Sequence, residues 1–326
     1  MLDIISIGSA TKDVFLISKG FKIIKSRQFK TGYGECFAYG AKVELGDIHF
    51  DTGGGATNSA CTFKNLGLQC GLITRIGNDT TGEEIYNSLK KKGIDVSNVI
   101  TDKSEKTAYS TILLTIDGER TILVYRGVSD NFIAKDFKSA ELKAKWIYLT
   151  SLGGNLKALK TIFKIARENN IKIAWNPGSA ELALPKLEIK KLIKQTELLL
   201  LNRDEAASLI NRPVSSLVQI IRGVNELGAN YWAISDGSNG AYVSDLRSIY
   251  FAPALKINVV NATGAGDAFG SGLVTGMIKK LSLKESLKLG ILNAAGTISQ
   301  MGAKHGLLEE MPSQRQFSLV KIKEIK

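Results

Sequence analysis

The sequence predicts an α/β protein: a mostly parallel sheet with helices on both faces, and a smaller β-structured insertion. Three observations carry that reading. From Trp146 onward, short apolar runs alternate with stretches of helical periodicity, the pattern of a parallel sheet covered on both sides. Glycine-rich turns at Gly53-Gly54-Gly55 and Gly264-Ala265-Gly266 each lead into a helical pattern. Residues 20–50 and 107–125 alternate at strand period, outside that regular scheme. The chain has 326 residues, 44% of them hydrophobic, enough for one large α/β domain or two smaller ones. No linker, repeat or low-complexity segment divides it.

In chain order, Ile4–Ile7 is a β-branched run ending at Gly8, a buried first strand. Asp13 follows. Open α/β sheets present ligand-binding groups beyond strand C-termini, so Asp13 is a candidate contact; a solvated loop acid or a cap is the alternative. Alternation over Phe21–Phe29 and Ala41–Phe50, split by Gly32, Gly34 and Gly40, reads as inserted β-structure. Thr52–Asn58 opens a helix that ends at Gly67. Cys70–Ile76 is a strand. Glu83–Lys92 keeps Ile85 and Leu89 on one helical face, and Gly93 stops it. Thr107–Ile116 and Arg120–Tyr125 flank Asp117-Gly118, a strong hairpin signal. Strands at Trp146–Leu149, Ile171–Trp175, Glu197–Leu201 and Tyr231–Ile234 then alternate with helices at Leu156–Ala166, Leu187–Lys194, Arg203–Ile210 and Leu217–Leu227. Tyr242–Val243 and Ser248–Ala252 suggest antiparallel strands near an edge. Helical patterns over Asp267–Lys280 and Leu283–Ser299 follow.

Composition narrows the function. No run approaches the roughly 18 consecutive apolar residues of a membrane span. The N-terminus lacks a basic n-region, and Cys36, Cys61 and Cys70 are odd in number and lack CxxC spacing. Reduced thiols in a cytoplasm are expected. His49 and His305, the only histidines, are far apart in sequence, which argues against a histidine-rich metal site or a Ser-His-Asp hydrolase. The net charge of +12 is spread over helical patterns such as Lys190-Lys191-Leu192-Ile193-Lys194, without interleaved aromatics. Such a field attracts an anionic nucleotide, and no nucleic-acid partner is expected.

The most informative stretch is Asn261–Gly272. An apolar approach, Ile257–Val260, runs into Thr263-Gly264-Ala265-Gly266 and then a helix. Small residues let a ligand approach the backbone, and first-turn amides with the helix dipole hold an anion. Asp267 stands one residue beyond, a carboxylate beside an anion hole. Phosphoryl transfer to a hydroxyl needs that pair: one group to stabilise charge, one to accept a proton. A tight turn with Asp267 as a helix cap is the competing reading. The stretch lacks the Gly-Lys-Ser/Thr of a phosphate-binding P-loop. Phe269 replaces the third glycine of a dinucleotide fingerprint.

Thr263-Gly264-Ala265-Gly266-Asp267-Ala268-Phe269 with Gly272 resembles the C-terminal signature of the ribokinase-like (PfkB) carbohydrate and nucleoside kinases. Gly53-Gly54-Gly55-Ala56-Thr57-Asn58 and Asn202-Arg203-Asp204-Glu205 resemble two further signatures, in the family's order, and Gly77–Gly82 resembles a fourth stretch. The resemblance implies a three-layer α/β/α ribokinase-like fold, one domain over residues 1–326, with lid segments at about 14–50 and 105–126. It implies ATP-dependent phosphorylation of a hydroxymethyl group. Asp267 is then the base, and the amides of Gly264, Ala265 and Gly266 form the anion hole. Asp13, Gly53, Gly54 and Asn58 hold the acceptor. Asn202, Glu205, Ser235 and Gly237 serve the nucleotide, with Glu205 reaching Mg²⁺ through water. Asn202 and Glu205 also read as a cap followed by surface charge. Asn293 has small neighbours that suit an adenine, or equally tight helix packing. Many family members bind an activating monovalent cation through an aspartate where this chain has Asn261, so potassium activation is in doubt.

The expected acceptor is a small sugar, as for a ribokinase or fructokinase. A nucleoside acceptor and a non-catalytic binding relative are the alternatives, and the intact Asp267 argues against the second. Phe21, Ile23, Phe29, Phe37, Tyr39, Val43, Ile48 and Phe50 give the insertion more apolar area than it can bury alone. A homodimer clasped through the lids is expected, against a monomer whose lid closes only on substrate.

Overall fold

The computed structural model of the chain describes residues 1–29, 32–115, 120–138 and 142–325. It opens with β1 (Leu2–Ile7), β2 (Thr11–Ile17), β3 (Lys22–Lys25), β4 (Tyr33–Cys36) and β5 (Asp47–Gly53). Next come α1 (Gly55–Asn65), β6 (Cys70–Ile73), β7 (Arg75–Gly77), α2 (Thr80–Lys91), β8 (Ile100–Asp102), β9 (Ala108–Leu114) and β10 (Arg120–Tyr125). The alternating half is β11 (Ala144–Leu149), α3 (Leu156–Glu168), β12 (Lys172–Trp175), α4 (Ser179–Leu182), α5 (Lys186–Ile193), β13 (Leu198–Asn202), α6 (Arg203–Leu209), α7 (Leu217–Asn225) and β14 (Tyr231–Ser235). Then follow β15 (Ala241–Ser244), β16 (Ile249–Ala252), α8 (Ala265–Ile278), α9 (Leu283–Ile298), α10 (Gln314–Leu319) and β17 (Lys323–Ile325).

Among the described residues the larger sheet runs β17-β16-β15-β14-β13-β12-β11-β1-β6. It is parallel from β6 to β14 and antiparallel from β14 to the β17 edge. The parallel strands are apolar because both faces are covered: Leu198–Leu201 is buried residue after residue. One core packs α1, α8 and α9 against one face, and a second packs α3, α5, α6 and α7 against the other. This is the predicted three-layer arrangement. Helix α3 shows why such segments are helical. Leu159, Ile162, Phe163 and Ala166 are buried, its lysines face water, and Asn155 accepts from Ala158 N to cap it. Helices α8 and α9 approach closely because their glycines have no Cβ: one on Gly276 would stand 2.6 Å from Ser286 Oγ.

A separate sheet, β10-β9-β2-β5, forms from the segments that alternate outside the regular scheme. Its register sets Asp13 opposite both Asp51 and Ser110, and Phe15 opposite His49 and Ile112. Phe15, Ile112 and Leu114 bury against Met301, beyond α9.

Several local expectations are corrected. Asp13 is not a loop acid; it lies inside β2, 5% exposed. Of Phe21–Phe29 only Lys22–Lys25 is strand. It pairs with β4, which lies in the predicted glycine loop, as a ribbon apart from the larger sheets. Glycines 32 and 40 take positive φ and bound that ribbon. Residues 41–46 are not strand, and pairing resumes only at Asp47. Cys70–Ile76 is two strands, because Thr74 turns aside, its hydroxyl donating to Gly8 O and its carbonyl accepting from Ile100 N. Helix α8 starts at Ala265 rather than Asp267. β9 and β10 pair antiparallel as the hairpin signal requires; its Asp117-Gly118 turn lies outside the described residues.

Candidate active site

Gly264 caps α8 in the left-handed region, φ 79°, and a Cβ there would stand 2.7 Å from Ala303 Cβ. The fold itself therefore demands this glycine. Gly266 differs: a Cβ there would meet nothing within 4 Å. Its openness serves no packing need and faces a cavity of about 320 Å³. Gly264–Asp267 line that cavity together with Asn202 and Ser235 from the ends of β13 and β14, and Glu205 from the first turn of α6. Strand β10 closes it with Arg120 and Ile122. First-turn amides have no partner inside their helix, so those of Gly266 and Asp267 are available at this wall. Ala265 N makes a long 3.4 Å bond to Ala262 O.

Asp267 Oδ2 accepts from Asn58 Nδ2 at 2.8 Å. Desolvation pushes the Asp267 carboxyl above the usual range, while the Asn58 bond and the Lys304 ammonium pull it back. Asp267 is not the helix cap, a place taken by Gly264, and its carboxylate meets Asn58 instead. Asn261, 3% exposed, accepts from Thr263 N at 3.0 Å and shapes the turn.

Asp13 sits against Gly53, where a Cβ would lie 2.0 Å from Asp13 Oδ2. Gly54, at φ 98°, packs on Ser9, whose carbonyl oxygen would stand 2.4 Å from a Cβ. These two glycines bring the β5–α1 turn, and with it Asn58, up to the Asp13 strand. Thr11 Oγ1 donates to Asp13 at 3.0 Å, and burial raises the carboxyl's pKa above its ordinary value.

Three residues at this site had no sequence signal: Lys304, Asp51 and Arg120. Lys304 Nζ donates to Thr52 Oγ1 at 2.7 Å and interacts electrostatically with Asp51, Asp13 and Asp267; burial lowers its pKa. The β2–β5 register identifies Asp51 only once the pairing is known. The two histidines, distant in sequence, meet here with ring centroids 5.7 Å apart. Among the described residues no group of three or more His, Cys, Asp or Glu is placed to hold a metal ion.

On the other side of the cavity Asn202 and Glu205 form a capping box. Asn202 Oδ1 accepts from Glu205 N, and Glu205 Oε2 accepts from Asn202 N, each at 2.8 Å. The cap reading is thus correct, yet both residues also line the cavity, and burial raises the Glu205 carboxyl's pKa. Arg203 Nη1 binds Asp236 Oδ2 at 2.9 Å and fixes the loop after β14. Gly237 lies in that loop, exposed, with room for a Cβ. Asn293 is a correction. It is fully buried, donates to Thr62 Oγ1 and Ala268 O, and accepts from Leu308 N, so helix packing uses its whole amide.

Fold and site together define a phosphotransferase acting on an alcohol group. The chain belongs to the pfkB family of carbohydrate kinases, which matches residues 1–310. A ribokinase of Haemophilus influenzae is 24% identical over 260 residues, 78% of this chain and 83% of that one. An adenosine kinase structure from Sinorhizobium meliloti has a TM-score of 0.77 at 21% identity, covering 94% of this chain and 97% of its own. A ribokinase structure from Cryptococcus neoformans in complex with ADP has a TM-score of 0.74 at 19% identity, covering 94% and 98%. No helix of the described residues is long and apolar enough to cross a membrane.

Proposed function

We propose that the protein transfers the γ-phosphoryl group of ATP to a hydroxymethyl group of a small sugar. The observation that carries this is Gly266 beside Asp267: an open backbone that the fold does not require, next to a carboxylate held by Asn58. The acceptor hydroxyl gives its proton to Asp267 as its oxygen bonds to the γ-phosphorus. The bond from that phosphorus to the bridging oxygen breaks, and ADP leaves with the electron pair. The amides of Gly266 and Asp267, with that of Gly264, stabilise the charge on the phosphoryl oxygens, and Arg120 adds a cation. Asp13 and Asn58, set in place by Gly53 and Gly54, hold the sugar. Asn202, Ser235 and Gly237 face the nucleotide. Glu205 keeps one oxygen beyond its cap bond, and its carboxylate suits a Mg²⁺ reached through water, which would neutralise phosphate charge.

The sheet β10-β9-β2-β5 serves as the lid of a single kinase domain. Leu123 and Tyr125 of β10, with Ile48 and Phe50 of β5, lie on the face opposite the Asp13 row and are from 45% to 56% exposed. A second lid covers that surface in a homodimer. The three cysteines are free thiols, in keeping with a reducing cytoplasm. ADP release, measured with ribose, fructose, fructose phosphates, adenosine, inosine and cytidine, tests the reaction. Turnover greatest with ribose or fructose is expected. A preference for a nucleoside overturns the sugar assignment, and no turnover with any alcohol overturns the kinase reading.

A further inference from the structure

We infer that Asp51 is a second acceptor-binding carboxylate, paired across the lid with Asp13, and that it restricts the enzyme to uncharged polyols. The inference rests on the kinase reading above and specifies its acceptor. Asp51 and Asp13 are direct partners in the antiparallel β2–β5 register, so both belong to one row of the sheet. Directly opposed like charges are unfavourable unless something lies between them. The Asp51 side chain is only 10% exposed. Its Oδ1 accepts from Thr52 N at 2.7 Å, but its Oδ2 is buried and accepts no hydrogen bond among the described residues. The nearest cation-forming group, His305 Nδ1, is 3.7 Å away, too far for a hydrogen bond, and instead lies 2.9 Å from Met301 O. A buried carboxylate oxygen without a donor is costly, and a ligand hydroxyl supplies what it lacks.

The charges around it set the ligand's class. Asp13, Asp51 and Asp267 all act on Lys304, one ammonium among three carboxylates. Acidic side chains therefore outnumber the lysine three to one around it. Hydroxyl groups satisfy both signs, donating to Asp51 and Asp13 and accepting from Lys304. A phosphate or carboxylate on the acceptor meets Lys304 only by approaching the two aspartates, and like charges repel strongly in a poorly solvated site. Gly302 packs directly against this carboxylate: a Cβ there would stand 2.2 Å from Asp51 Oδ2.

The test compares the unaltered protein with Asp51→Asn, which keeps the size and removes the charge. Steady-state kinetics are run on the best neutral sugar, on its phosphate ester and on its aldonic acid, with ATP affinity and thermal unfolding alongside. The unaltered enzyme is expected to use the neutral sugar and reject both anions. Asp51→Asn should raise KM for the neutral sugar about 10- to 100-fold, the loss of one or two charged hydrogen bonds, and narrow the rejection of the anions, with ATP affinity unchanged. Neutral-sugar turnover that is unaltered in a folded Asp51→Asn overturns the assignment and leaves the kinase reading intact. So does an unaltered enzyme that prefers either anion, an outcome that needs no variant. An unaltered enzyme with no turnover on any alcohol overturns both.

Discussion

At the scale of single residues the proposed chemistry depends on how Asp267 is held. Burial raises its pKa, and the Asn58 amide, donating to the ionised form, lowers it. Asn58→Ala removes that donor, so the carboxyl stays protonated to higher pH. The acid limb of the kcat–pH profile should move upward; an unmoved limb would mean that Asn58 does not touch the working base. Asp13→Ala should weaken sugar binding far more than ATP binding, and equal losses by calorimetry would make its role structural. Asp267, Asn58 and Asp13 were legible because each belongs to a short local pattern of glycines and polar residues. Asp51 and Lys304 were not. One depends on strand register and the other on where the chain beyond α9 passes, and neither is encoded locally. Asn293 misled because small neighbours on a helix suit an adenine and a helix–helix contact equally, and only the packing separates the two.

At the scale of elements, two glycines two residues apart test the α8 N-terminus. Gly264→Ala forces a side chain into the left-handed region and against Ala303, and should cost roughly 1–3 kcal/mol of stability. Gly266→Ala meets no protein atom, so the melting temperature should hold while turnover falls. Equal melting temperatures with equal activities would show that this turn holds no anion. Asn261 supplies a neutral amide to the same turn, so potassium should stimulate weakly or not at all at fixed ionic strength. Strong stimulation over sodium would contradict that, with Asn261→Asp as the informative comparison. The alternating half of the chain was legible nearly to the residue, since buried parallel strands and amphipathic helices have distinct periods. The insertion was legible in kind but not in detail. Exposed strands owe their limits to turns and pairing rather than to burial, and β3, β4 and β17 are exposed or only partly buried.

At the scale of the whole molecule, the larger sheet has nine strands among the described residues and a helical layer on each face, and β10 of the smaller sheet shares a cavity with the ends of β13 and β14. The apolar surface left on that smaller sheet should bring two copies together. Light scattering at micromolar protein should give a dimer mass, and a monomer mass unchanged by sugar would exclude the clasp. Phe50→Asp should favour the monomer, because a charge would then enter the apolar contact. The most direct measurement is made at the proposed base, Asp267. Turnover of Asp267→Asn is compared with the unaltered enzyme on the best sugar, with ATP affinity measured on both by calorimetry. Asparagine keeps the shape and still accepts from Asn58, but it cannot take the acceptor's proton. ATP binding should be retained and kcat lowered by roughly 10²–10⁴, the worth of a positioned base. A loss of less than about tenfold in kcat, with ATP binding intact, would contradict that role.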